Sequence, residues 1–184
     1  MKINKWLWIP IVAILNFIAV QIAIFLKIPF FLDTWGTSLG VMAGGLWPGL
    51  LGGALYNLYM GIFVWTEVPN GWIWAIVNIW VALSVFYLFK KGWVDIKKPG
   101  KLLLSAIAVG FTSSIIILII LFTVWGGVET YEGVLPTYDA LLSATGSKTI
   151  AAIGEKFITT PIDQIVSMFI AAIVFSTWSK KELT

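Results

Sequence analysis

Residues 6–26 run without a single charged side chain, and the 21 positions match the roughly 20 that a helix needs to cross the hydrocarbon core of a bilayer. Charge-free stretches of similar kind recur at 49–65, 72–89 and 102–125. Such runs leave few options, because backbone polar groups in lipid must be satisfied internally by helices or closed barrels. Composition agrees: 59% of the 184 residues are hydrophobic and 11% are charged, against about 25% charged in an ordinary soluble domain. The chain is read as a single all-α integral membrane domain, 1–184, with six transmembrane helices. No length remains for an attached soluble catalytic domain.

The six segments are 6–26, 33–46, 49–65, 72–89, 102–125 and 148–178. Lys2 and Lys5 precede the first, but its length and the lack of a small-x-small site before Lys27 argue for a retained helix over a cleaved signal. The second is short and rich in glycine, with Trp47-Pro48 read as a tight turn into the third. The sixth holds 31 residues, about 46 Å as a helix, and Pro161 near its middle predicts a break or kink. Cytoplasmic loops retain lysine and arginine. With both termini inside, the inner segments hold nine of the twelve lysines, five of them in the 90–101 loop. The outer segments carry Lys27 with Glu67, Glu129, Glu132 and Asp139. The net charge of +3 therefore reads as topology and not as a nucleic-acid patch. The 126–147 loop, outside, is a lid over an extracellular mouth or a plain surface connection.

With neither cysteine nor histidine, disulfides, thiolate nucleophiles, Cys/His zinc sites and Ser-His-Asp triads are excluded. No cofactor or metal site is expected. Gly36, Gly40 and Gly44, then Gly45, Gly49, Gly53, Asn57 and Gly61, recur every four residues. In lipid such ladders let helices approach closely, and internal packing of the second and third segments is the expected use. Ala19 and Ala23 repeat the spacing in the first segment, with Asn16 on the same face.

Ionisable groups at membrane depth point to function. Lys156, Thr160 and Asp163 form one stripe of the last segment, with Glu155 and Thr159 beside it. They are anchors for a polar ligand, or a structural pair of Lys156 with Asp163 or Glu155. Asn57 and Trp65 share a stripe of the third segment, and Trp72, Trp74 and Asn78 enter the fourth at the same level. An indole wall with two amides and a charged cluster suits a flat, polar micronutrient, although Trp65 and Trp72 also suit simple interfacial anchoring. Asp33, just before a helical segment, is placed to cap backbone amides or to meet a ligand, the cap being the commoner role.

Over nearly its full length the chain resembles the substrate-binding S component of energy-coupling factor (ECF) transporters. The resemblance rests on six segments with both ends inside, on Ala19-Val20-Gln21-Ile22-Ala23, and on Phe31-Leu32-Asp33-Thr34-Trp35-Gly36-Thr37 followed by the glycine-rich 44–57 stretch. It implies a multi-pass protein of a bacterial plasma membrane that captures a water-soluble vitamin or related micronutrient from outside. It further implies docking through Ala19 and Ala23 on a transmembrane coupling subunit driven by two cytoplasmic ATPases. This chain has no G-x-x-x-x-G-K-[ST] loop of its own. A membrane ligand sensor is the alternative function. An intramembrane enzyme using Glu155 and Asp163 fits less well, because positioned acid-base partners are few.

Overall fold

The computed structural model describes residues 4–68, 70–127 and 135–181. Lys2, Glu129 and Glu132 of the charge argument lie outside the described residues, as do the side chains of Lys180 and Lys181. Every regular element among those described is helical: α1 (Trp8–Phe25), α2 (Trp35–Gly44), α3 (Leu46–Tyr59), α4 (Ala75–Lys90), α5 (Pro99–Val124), α6 (Leu135–Thr145) and α7 (Lys148–Lys181). Short turns extend three of them: 3₁₀ turns at Lys5–Leu7 and Gly71–Trp74 lead into α1 and α4, and a π turn at Met60–Val64 ends α3.

Four stretches are long and apolar enough to cross a membrane: Lys5–Phe25, Gly71–Lys90, Pro99–Val124 and Lys148–Ser179. By contrast, the ten residues of α2 rise about 15 Å, half of a ~30 Å core. Burial is inverted relative to a soluble domain. Asn16, Thr37, Asn57, Asn78, Ser113 and Ser114 are buried, while Ile14, Ile18, Ile22, Phe111, Ile115 and Ile119 face outward. In lipid an outward aliphatic stripe needs no cover, and polar groups turn to the bundle interior. The protein is built as a multi-pass membrane protein.

The glycines lie where these helices touch. A Cβ on Gly36 would come within 2.6 Å of Asn16 Oδ1, one on Gly44 within 3.1 Å of Trp8 Cβ, and one on Gly52 within 2.8 Å of the Ile9 carbonyl. α2 thus runs back antiparallel along the first half of α1, with α3 pressed on both. The tight turn falls one step earlier than Trp47-Pro48 suggests. Gly45 makes it with φ +94°, a backbone region that glycine alone enters cheaply, and Trp47 and Pro48 belong to the first turn of α3, where proline's missing N–H costs nothing.

Pro161 does not break the last helix. It lies inside the continuous α7, and its backbone faces Gly110 of α5 so closely that a Cβ there would sit 3.1 Å from Pro161 N. The proline leaves a carbonyl of the preceding turn without its usual donor, and nearby Ser114 Oγ lies 2.8 Å from the Lys156 carbonyl and 3.0 Å from that of Gly110. The long 126–147 connection is no plain loop either. It contains α6, whose Tyr138 packs with Leu121, Ala151 and Ala152 of α5 and α7.

At Gly53 an added Cβ would lie 2.6 Å from Thr37 Oγ1 and 3.0 Å from Asn78 Oδ1. Gly53→Ala is expected to destabilise the purified protein by about 1–3 kcal/mol. At Gly100, with nothing within 4 Å, alanine should be neutral or stabilise by up to about 1 kcal/mol. Thermal unfolding in detergent measures both, and equal effects at the two sites would refute the close-contact account.

Candidate functional site

α1 ends in a Schellman-type cap, with Ile28 N bonded to the Ala23 carbonyl (2.9 Å) and Lys27 N to that of Ile24 (3.1 Å). Lys27 takes the left-handed position, φ 52°, that glycine usually fills. From there the backbone turns back into the bundle without helical bonds until α2 begins at the level of Asn16. Irregular backbone at that depth survives only where protein groups or a cavity satisfy it. Asp163 of α7 provides this: its Oδ2 accepts from the amides of Phe31 (3.2 Å) and Leu32 (3.3 Å), and its Oδ1 from Ser167 Oγ (2.9 Å). Leu32 is held at φ 57°, a conformation costly for a side-chain-bearing residue and concentrated at functional sites.

A buried chain of hydrogen bonds continues from this segment. Asn16 Nδ2 donates to Thr37 Oγ1 (2.9 Å), Thr37 Oγ1 donates to Asn78 Oδ1 (2.6 Å), and Asn78 Nδ2 lies 3.4 Å from Asp33 Oδ2. Gln164 Nε2 reaches Thr34 Oγ1 at 2.9 Å. Four helices and the re-entrant segment are joined by these short side chains, which meet only because the glycines bring the helices together.

Above this layer is a cavity of about 330 Å³, toward the end of the bundle that carries the C-terminus of α1 and the N-termini of α4 and α7. Asp33, Asp163, Asn57 and Gln164 line its polar part, and Phe30, Trp65 and Trp74 supply aromatic walls. Trp74 is backed by Trp125, stacked at 5.0 Å with 17° between the rings. Trp65 owes its place to the π turn, closed by Trp65 N to the Met60 carbonyl at 2.7 Å. Regular α geometry would set Trp65 about 80° round the helix from Asn57, and the wider π turn reduces that offset.

Nine of the residues singled out in the sequence therefore line one cavity: Asp33, Asn57, Trp65, Trp74, Glu155, Lys156, Thr159, Thr160 and Asp163. Asn78 lies just beneath, holding Asp33. Lys156 pairs with its neighbour Glu155 at 2.9 Å, and Thr159 Oγ1 donates to Glu155 Oε1 at 2.6 Å. Three expectations need correction. Trp72 does not join the group; it is 45% exposed on the outer face, the position of an interfacial anchor. Asp33 is no N-cap, since Thr34 holds that position without a side-chain bond, and the Asp33 carboxylate faces the cavity instead. Ala19 and Ala23 are 6% and 0% exposed: their small side chains admit this chain's own helices, so they offer no surface to a partner. No described residue of α6 lines the cavity. Comparison with protein-family models, curated proteins and solved structures finds no match.

Asp163→Ala removes the acceptor used by two backbone amides and the Ser167 hydroxyl, each loss costing about 1–3 kcal/mol. It should lower stability by several kcal/mol, whereas Asp163→Asn, which keeps an accepting oxygen, should cost far less. Thermal unfolding of the two variants in the same detergent decides; equal losses would remove Asp163 from this capping role.

Proposed function

We propose that this chain is the substrate-capture subunit of an ATP-driven importer of the energy-coupling factor type. Its six helical segments sit in a bacterial plasma membrane with both termini and the 90–101 loop in the cytoplasm. It binds a small, water-soluble, vitamin-like compound from the outside and hands it over in complex with a transmembrane coupling subunit and two cytoplasmic ATPases. The chain itself performs no chemistry in this reading; hydrolysis belongs to the partners.

The cavity carries the proposal. Its volume falls at the lower end of the range for small-ligand sites, with apolar walls and a few placed polar groups. It opens on the end of α4 that bears Trp74, opposite the end that bears Lys90 and the lysine-rich loop. A half-length helix and an irregular segment meeting buried carboxylates also resemble the discontinuous helices on which transporters build midplane sites. With Ala19 and Ala23 used internally, contact between α1 and the coupling subunit falls to its outward stripe, Ile14, Ile18 and Ile22.

Cells producing the chain together with a coupling subunit and both ATPases should accumulate the ligand in an ATP-dependent manner, and cells lacking the ATPases should not. Trp74→Ala should weaken ligand binding by about tenfold through loss of a stacking wall. Uptake that persists without the ATPases would overturn the proposal. The absence of native cysteines makes topology directly testable: Lys97→Cys should resist an impermeant thiol reagent in intact cells while Asp139→Cys reacts. Labelling of both from outside would overturn the arrangement.

A further inference from the structure

We infer that the cavity takes a flat organic cation rich in hydrogen-bond donors, an amidinium or a protonated amino-heterocycle, with its positive end on Asp33 and Asp163. The inference rests on the binding-subunit reading and narrows its ligand.

Charge is the first argument. Three carboxylates line the cavity, Asp33, Asp163 and Glu155, against the single ammonium of Lys156. That ammonium is committed to Glu155 at 2.9 Å, and among the described residues no lysine pairs with either aspartate. Asp163 is near enough to act electrostatically on Asp33. Two neighbouring carboxylates with no counter-charge are costly in a medium of low dielectric, and a cation between them relieves that cost.

Hydrogen-bond polarity is the second, independent argument. Asn57 is fully buried and lines the cavity. Its Nδ2 donates to the Gly53 carbonyl at 3.2 Å, and because a carbonyl only accepts, the amide orientation is fixed. The Asn57 Oδ1 is left without a partner, as is the Oε1 of Gln164, 2% exposed and also on the cavity wall. Ionised carboxylates and amide oxygens are acceptors only. The two unpartnered amide oxygens on the cavity wall are both acceptors, which N–H groups of a ligand would satisfy; the buried, unpartnered Tyr56 hydroxyl near the two aspartates can donate as well as accept, but it does not line the cavity. Shape supplies the rest: Trp65 and Trp74 line the cavity, and aromatic walls of this kind suit a planar cation through stacking and cation–π attraction. The space far exceeds a bare metal ion, and no group of three or more metal-ligating side chains occurs among the described residues.

Three isosteric probes that differ in charge test this on the purified full chain in detergent: benzamidine, a flat amidinium; benzamide, its neutral counterpart; and benzoate, the anion. Magnesium chloride serves as the inorganic cation. Thermal unfolding and quenching of tryptophan fluorescence should report benzamidine binding at least about tenfold tighter than benzamide, with no effect of benzoate or magnesium. Asp33→Asn and Asp163→Asn, which keep the shape and an accepting oxygen, should each erase the preference for benzamidine over benzamide. The inference is overturned if benzamide or benzoate binds as well as benzamidine, if magnesium alone stabilises the protein, if no probe has any effect, or if both variants retain the preference. ATP-dependent uptake alongside any of those results would leave the binding-subunit reading standing. The predicted ranking without uptake would instead remove the transporter reading and keep the ligand class.

Discussion

Close approach of backbones at glycine is the constraint on which everything else in this bundle depends. Serine, threonine, asparagine and aspartate have short side chains, and they bond between helices only if the helix axes are close. The Gly36, Gly44, Gly52 and Gly53 contacts set that distance for α1, α2 and α3, and Gly110 against Pro161 sets it for α5 and α7. The hydrogen-bond chain from Asn16 through Thr37 and Asn78 to Asp33 follows from it. Since lipid gives helices no hydrophobic reason to associate, dispersion across the glycines and these buried bonds are the main forces holding the bundle.

The two ends of the bundle are made differently for a reason. One carries aromatic pairs, with Trp8 edge-on to Trp178 at 5.4 Å and Phe89 to Phe175 at 5.6 Å, beside a cleft of about 340 Å³ between Phe89, Phe175 and the 92–97 turn. At the other, the half-length α2 leaves space that no helix fills, and irregular backbone, a π turn and the three left-handed residues Lys27, Leu32 and Asn70 lie around it. Local departures from regular geometry collect at the cavity, as they commonly do where a structure breaks its own local rules.

The parts legible in the sequence are those set by one-dimensional patterns. α1, α4 and α5 follow from uninterrupted apolar runs, and the glycine spacing marks the contact faces. The depth rule for polar residues leads to Asn57, Glu155, Lys156 and Asp163. What escaped depends on three dimensions. Gln164 obeys the same depth rule, but without a charge it does not stand out beside Asp163. Phe30 and Thr34 reach the cavity only because the segment after Lys27 folds back, which no local pattern specifies. The helix α6 was hidden by its polarity, although Tyr138, Leu141, Leu142 and Thr145 carry its stripe and Pro136 sits in its first turn. Ala19 and Ala23 show the limit of motif reading: small residues four apart announce a close neighbour without saying whether it is the same chain.

The link between Asp163 and the amides of Phe31 and Leu32 spans more than 130 positions, and this bears on biosynthesis. A membrane protein is made from its N-terminus, so α1 and α2 enter the bilayer long before α7 exists. Until then the amides at 31 and 32 are without the Asp163 carboxylate that accepts from them in the finished bundle. The first two helices can pair through their glycines, but the carboxylate that caps the segment between them comes only with the last helix. Completion of the cavity wall is therefore coupled to completion of synthesis, because Asp163 and Gln164 both belong to the last helix.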